Sequence, residues 1–286
     1  MIDLHTHSTY SDGTDSVPEL IWAAQKAGLK ALALTDHDTM DGVAQAQWLG
    51  ASRGIEILRG MELSTHVVVG AKRHSVHLLA YGCQPSSIEL WGMVDEVRES
   101  RRTRLPRMLE CLAQLGFDLD IGEVEDQSIG ASSIGRPHVA DAMVARGWVA
   151  NRSEAFDRFL GESSPAYVQR HTPSLVEALA VVNRAGGVGV IAHPWARGNR
   201  KALSAVSLTS LTKKHGLVGL EVDHVDHDSD TRGVLAQLAD DLGLLATGSS
   251  DYHGQGKTGH PLGVCTTPLA VYQALKAKIK ERGGQP

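Results

Sequence analysis

Residues 1–39, MIDLHTHSTYSDGTDSVPELIWAAQKAGLKALALTDHDT, contain one complete strand–helix–strand unit, and the rest of the chain repeats its pattern. Ile2 to His5 and Ala31 to Thr35 are short apolar runs of strand length. Between them, Ser16 to Ala27 has the pattern of a helix: Ser16 and Glu19 are spaced as a capping box, and Gly28 is a stop signal. Each strand runs directly into side chains that bind metals, His5, His7 and Asp12 after the first and His37 after the second.

Working outward, strand-like segments recur at Ile55 to Arg59, Val76 to Tyr81, Val188 to Ala192, Val218 to Val222 and Leu244 to Thr247, about seven in all. Thr172-Pro173 reads as the opening of another helix, closed by Gly186-Gly187. Alternating strands and helices predict parallel pairing with right-handed crossovers, and seven such units predict an α/β barrel rather than an open sheet. One stretch breaks the alternation. From Pro85 to Val168 the sequence reads as successive helices, Ile88 to Gln114, Arg136 to Arg146 and Ser153 to Leu160. The expected organisation is a barrel from 1–84 and 169–286 with a helical insertion, 85–168, over its mouth. The arginines Arg98, Arg101, Arg102, Arg104 and Arg107 predict a solvated helix face, in preference to a phosphate-binding stripe.

Composition narrows the classes. The 286 residues, 42% apolar and 21% charged, are enough for a full hydrophobic core, so a metal here serves chemistry rather than folding. A net charge of −5 argues against a long nucleic-acid surface and leaves small phosphorylated substrates, or short RNA, open. No apolar window is long enough for a bilayer, and the N-terminus enters a polar motif by His5; both predict a cytoplasmic protein without a membrane partner. Cys83, Cys111 and Cys265 are widely spaced and predict free thiols.

The fourteen histidines are the unusual feature. Glu62 follows the third strand, and His77, His193 and the pair Asp251 and His253 complete a series of donors at strand ends. A barrel gathers the C-terminal ends of its strands on one face, so residues distant in sequence meet there. His5 with His7, and Asp251 with His253, are two apart and point the same way. His74 and His77 are three apart and point to opposite faces; His77, nearer the C-terminal end of its strand, is the expected ligand. Imidazole and carboxylate donors without thiolate suit Mn2+, Fe2+ or Zn2+ better than calcium. Nine donors are enough for two or three ions bridged by Glu62. Clustered ions can ionise a shared water, clamp phosphoryl oxygens and stabilise a departing alkoxide, which is phosphoester hydrolysis. Glu62, Asp251 and His193 are the expected catalytic residues.

The motifs DLHTHSTYSDG (3–13), LTDHDT (34–39), GMELST (60–65), VHLLAYG (76–82), IAHP (191–194) and SSDYHG (249–254) resemble, in order and spacing, those of the PHP phosphoesterases. The resemblance covers the whole chain. It implies a distorted seven-stranded (β/α) barrel and a trinuclear site of manganese, iron or zinc. The ligands it implies are His5, His7, Asp12, His37, Glu62, His77, His193, Asp251 and His253, the set reached from strand ends. It pairs His5 and His7 with Asp251 and the bridging Glu62, and leaves Asp36 and Asp38 as supports of the ligands.

IGRPHVADAMVARGWV (134–149) is similar to a segment of family members acting on nucleotides and sugar phosphates, which implies phosphate binding by Arg136 and His138. A guanidinium matches two phosphate oxygens, and Pro137 begins a helix with free N–H groups. Ser163-Ser164-Pro165-Ala166-Tyr167-Val168 departs from a Gly-Lys-Pro-like turn of related nucleotide-cleaving members, which leaves the anchor for a second phosphate unassigned. Glu221 to His227 is unusually acidic and His-rich, and His227 reads equally as a substrate contact or a supporting residue. The implied substrate is a nucleoside 3′,5′-bisphosphate losing its 3′-phosphate, or a cyclic sugar phosphate. A 5′-3′ exoribonuclease acting on short RNA is the alternative; it would stack bases on Trp148, Phe156, Tyr167 or Trp195. A non-catalytic metal-binding module is disfavoured by the complete ligand set.

Overall fold

Seven strands form one sheet whose neighbours follow chain order: β1 (Ile2–Thr6), β2 (Ala31–Leu34), β3 (Glu56–Val69), β4 (Lys72–Tyr81), β5 (Val188–Ile191), β6 (Gly219–Asp223) and β7 (Leu245–Gly248). The computed structural model describes all 286 residues, the side chain of Arg197 excepted. Helices α1 (Val17–Lys26) and α2 (Val43–Arg53) connect the first three strands. The segment after β4 carries α3 (Ile88–Gln114), α4 (Ile121–Asp126), α5 (Arg136–Ala145) and α6 (Arg152–Ala155), the last running into a π-helical turn. Helices α7 (Leu175–Arg184), α8 (Ala205–His215), α9 (Ser229–Leu242) and α10 (Leu269–Glu281) complete the chain.

The all-parallel expectation fails at one strand. β3 runs on to Val69, only Gly70 and Ala71 separate it from β4, and a connection that short joins antiparallel strands. β4 therefore runs against both β3 and β5, while the other pairs are parallel. His77 then faces the site midway along a descending strand, opposite Ser64, and not by nearness to a C-terminal end. The odd spacing itself holds: Leu79 and Tyr81, which share the face of His77, lie in the inner core, while Val76, Leu78 and Ala80, on the face of His74, lie in the outer one.

The barrel is nearly closed. β1 meets the segment after β7 at a parallel bridge from Thr6 to Tyr252, where His7 N–H donates to Tyr252 O at 2.9 Å. Below that bridge the Asp3 carboxylate accepts the N–H groups of Ser250 (3.0 Å) and Gly263 (2.9 Å), and Thr267 N–H donates to Ile2 O at 2.9 Å. The inner core of Leu4, Ala33, Leu58, Tyr81 and Val190 is joined by Tyr272, Leu275 and Ile279 of α10.

A second apolar core runs from Leu105 to Val168 within the helical segment, whereas Leu90 and Val94 of α3 belong to the outer barrel core. The 27-residue α3 thus ties the two together. Its arginines do not form one solvated face. Arg102 and Arg107 are exposed, but Arg101 and Arg104 are only 8% and 5% exposed, because they share the face of Leu105 and Met108. Helix α7 also starts later than Thr172-Pro173: Thr172 Oγ1 accepts from Arg73 and Pro173 O accepts His66 N–H, so Ser174 caps, in a box with Glu177. No helix among the described residues is long and apolar enough to cross a membrane, and the three cysteines are free thiols.

Replacing Asp3 with Ala leaves the buried N–H of Ser250 and the half-buried N–H of Gly263 at the seam without their acceptor. Chemical denaturation is expected to show a loss of about 2–4 kcal/mol; an unchanged midpoint and slope would show that the seam closes without the carboxylate.

Candidate metal centre

The register of β1 slips between Asp3, paired with Leu32, and Thr6, paired with Leu34. The extra residue lets Leu4 join the inner core while His5, next in sequence, also turns into the barrel, with His7 beyond it. The loop that follows is tight: a Cβ on Gly13 would lie 2.5 Å from His7 O. Asp36 holds this loop by accepting Ser8 N–H (2.7 Å), Ser8 Oγ (2.7 Å) and Ser11 Oγ (2.6 Å). Asp12 is thereby placed with Oδ1 3.4 Å from His253 Nε2 and Oδ2 3.7 Å from His37 Nε2.

Glu62, on β3, is the centre. Its Oε2 lies 3.2 Å from His5 Nε2, 3.2 Å from His7 Nε2 and 3.1 Å from His37 Nδ1; its Oε1 lies 2.7 Å from His77 Nδ1 and 3.3 Å from His193 Nε2. Asp251 Oδ1 lies 3.4 Å from Nε2 of both His5 and His7. The structure brings all nine donors together. Three non-glycine residues have left-handed backbones, Asp38 (φ 54°), His193 (φ 28°) and Asp251 (φ 52°), and all three are here. Such conformations cost roughly 1–3 kcal/mol each and persist where the surroundings fix them.

The charges explain what the cluster lacks. Burial alone would raise the pKa of Glu62, but His37, His77 and His5 outweigh it and hold the carboxyl well below its usual range. Asp12 is lowered against burial by His37 and His253, and Asp251 by Lys257 and His5. Burial opposes protonation of His7, yet the Asp251 and Glu62 carboxylates beside it carry it up to about 9, while burial drives His37 down to about 3. His5 Nε2, His7 Nε2 and His37 Nδ1 are buried without a hydrogen-bond partner. Orphaned imidazole nitrogens packed around carboxylate oxygens fit divalent cations. Four groups have donor atoms within 4.8 Å of one another: His5, His7, Glu62 and Asp251; His37, Glu62 and His77; His7, Asp12, His37 and His253; and, on the far side of Asp251, His224, Asp251 and His260.

The model of the PHP domain family matches residues 3–179, more than half of the chain. The chain belongs to the PHP domain family. It is a metal-dependent phosphoesterase. Its relatives include a 3′,5′-nucleoside bisphosphate phosphatase of Chromobacterium violaceum, 34% identical over 97% of each chain. A 5′-3′ exoribonuclease of Haemophilus influenzae is 30% identical over 88% of this chain and 89% of its own, and a phosphoribosyl 1,2-cyclic phosphate 1,2-diphosphodiesterase of Eggerthella lenta is 28% identical over 90% and 96%. A solved structure from Bifidobacterium adolescentis, put forward as a metal-dependent phosphoesterase, superposes with a TM-score of 0.90 at 36% identity, covering 97% of this chain and 96% of that one.

Several residues of this PHP site escaped the sequence motifs. Glu221 on β6 supports two ligands: Oε1 is 3.1 Å from the His5 ring at Nδ1, Oε2 accepts the backbone N–H of His193 at 2.7 Å, and Ser249 donates to Oε1. It fixes the ring orientation and tautomer of His5 and the backbone of His193. Its one signal was the acidic stretch 221–227. His224 Nε2 is 3.6 Å, and Lys257 Nζ 2.5 Å, from Asp251 Oδ2. His227 is buried with Nδ1 3.0 Å from Val222 O, and it belongs to none of the donor groups. His138 is also buried, with Nδ1 accepting Gly135 N–H at 3.0 Å and Nε2 2.8 Å from Ser11 O.

His77→Ala is expected to lower metal content and remove most turnover, whereas His74→Ala, on the opposite face, leaves both near wild type. Metal analysis and steady-state rates of the two mutants decide it: a dead His74 mutant beside an active His77 mutant would overturn the ligand assignment.

Proposed function

We propose that this chain hydrolyses the 3′-phosphate of nucleosides phosphorylated at both 3′ and 5′ positions. The nine donors would hold two or three divalent ions, manganese, iron or zinc, with Glu62 shared between them and with Asp251 and His193 completing the catalytic set. Such ions supply the ionised water and the charge neutralisation that phosphoester hydrolysis requires. Glu221 holds His5 and His193 in place, and the buried walls exclude bulk water from Glu62.

The observation that carries this function is the clamp between α5 and the Asp12 loop. His138 reaches Ser11 O, and Arg152 donates to Asp12 O at 2.7 Å while pairing with Asp141 of α5. Arg136 is the first residue of the clamped α5; its Nη1 donates to Leu160 O at 3.0 Å, and its guanidinium packs 5.2 Å from the Phe156 ring and 5.4 Å from the Tyr167 ring. Arg136 is thus the substrate-binding cation, and His138, with both nitrogens on backbone groups, positions the loop instead of touching phosphate. His227, tied to Val222 O, likewise supports β6.

Base stacking on RNA is less well served. Trp148 packs edge-on against Phe117, 5.4 Å between centroids, in the second core, and Trp195 donates to Leu203 O from the edge of the outer barrel core. Phe156 and Tyr167 flank Arg136. A small nucleotide therefore fits better than a strand, and the identity to the bisphosphate phosphatase points the same way.

Manganese-loaded protein assayed against adenosine 3′,5′-bisphosphate, a cyclic phosphoribosyl ester and a 5′-phosphorylated oligoribonucleotide should show the highest kcat/KM for the bisphosphate. Arg136→Ala should lower that value at least tenfold, about 1.4 kcal/mol, with metal content unchanged. A preference for the cyclic ester or the oligonucleotide, or an Arg136 mutant equal to wild type, would contradict the proposal.

A further inference from the structure

Three buried or half-buried arginines converge beside the metal centre with one carboxylate among them. Arg101 and Arg104 come from α3, 8% and 5% exposed, and Arg170 from the segment entering α7. The carboxylate, Asp38, is fully engaged: Oδ1 accepts Ser64 N–H at 2.7 Å, and Oδ2 accepts Ser64 Oγ at 2.8 Å and Arg101 Nε at 2.9 Å. Arg101 Nη2 adds contacts of 2.7 Å to Asp38 and 2.8 Å to Ser64. Because Asp38 follows His37 and Ser64 lies two residues beyond Glu62 on the same strand face, the arginines stand at the rim of the metal cluster.

Two guanidinium nitrogens there are buried without a partner, Arg104 Nε and Arg170 Nη1. Arg104 otherwise makes one long bond, 3.5 Å from Nη1 to Val168 O. The positive charges act on one another. Burial, then Arg136 and Arg101, push the Arg104 guanidinium down to about 9, and burial with Arg101 holds Arg170 well below its usual range, with Asp38 opposing. An interior that holds surplus cations and unsatisfied donors is costly unless an anion enters. Gly135, at the N-terminus of the ten-residue α5, closes the same space: a Cβ there would lie 2.8 Å from Arg101 Nη1. Ser164, in the Ser163–Val168 turn, is uncharged and bonds back to Phe156 O and Asp157 O, so that turn supplies no cation.

We propose that Arg104 and Arg170, with Arg101 bracing them from Asp38, form a second phosphate site that holds the phosphate group of the substrate not being hydrolysed. The site supplies from α3 and the α7 approach the anchor that Ser164 does not. It rests on the bisphosphate reading above, and it sets substrate class: esters with two phosphates over esters with one. A planar guanidinium pair binds a phosphate dianion through several N–H groups at once, which gives selectivity as well as affinity.

The test uses Arg104→Gln and Arg170→Gln in the full-length protein, with the Lys variants as charge-retaining controls. Calorimetric titration with 5′-AMP, which carries only the second phosphate, should give a Kd weakened at least tenfold in both Gln variants and by less in the Lys variants. Inorganic phosphate as titrant distinguishes product from substrate: an equal loss for inorganic phosphate and 5′-AMP, with no change in substrate selectivity, would make this a product site and overturn the proposal. The ratio of kcat/KM for adenosine 3′,5′-bisphosphate to that for 3′-AMP should fall at least tenfold, chiefly through KM. Thermal unfolding without ligand should show the Gln variants at least as stable as wild type, since each removes a surplus buried charge; lower stability with unchanged 5′-AMP affinity would make the arginines structural. A wild type that binds 5′-AMP through these arginines but hydrolyses neither ester would sink the proposed reaction and leave the anion site standing.

Discussion

The carboxylate of Glu62 is buried among five imidazoles, and the rest of the molecule is arranged around that fact. A buried anion is tolerated only when opposite charge and hydrogen-bond donors surround it closely. Five rings from four segments satisfy it, His5 and His7 both coming from the end of β1, and local features of the backbone deliver several of the ligands. A bulge turns His5 inward, an antiparallel strand delivers His77, and left-handed residues place His193 and Asp251. Protons on His5 and His7 balance the carboxylates when ions are absent, so the same groups that stabilise the empty cluster are those that cations displace.

Three further carboxylates hold the ligands from behind. Asp36 fixes the loop bearing Asp12, Glu221 fixes His5 and His193, and Asp38 accepts both Ser64 and Arg101. Asp38 thereby joins the barrel to the helical segment. The metal face and the arginines of α3 share one hydrogen-bond network, and any strain on α3 reaches the loop of His37. Helices outside the barrel are part of the site in that physical sense, with α5 clamped to the Asp12 loop on one side and α3 to Asp38 on the other.

Much of this was legible in the sequence, for reasons that differ by element. Strand–helix alternation and donors at strand ends are local patterns, so the barrel and the convergence of His5, His7, Asp12, His37, Glu62, His77, His193, Asp251 and His253 could be read directly. The direction of β4 could not be read from apolar runs, because Glu56–Val69 extends past the apolar core into polar residues and hides a hairpin. Arg101 and Arg104 looked like surface charges because charge patterning ignores what packs opposite; Asp38, the partner of Arg101, is sixty-three residues away in sequence. Glu221 escaped for the same reason, since its work is done on His5 across the barrel.

The central claim is that Glu62 is the shared ligand of a cluster of ions and that hydrolysis depends on it. Glu62→Gln keeps the shape of the side chain and removes its charge. Metal analysis and phosphatase assay of manganese-loaded wild type and mutant test the claim together. The account predicts two or three ions in the wild type, at least one ion fewer in the mutant and loss of most turnover; a mutant with the full complement of ions and wild-type rates would contradict it.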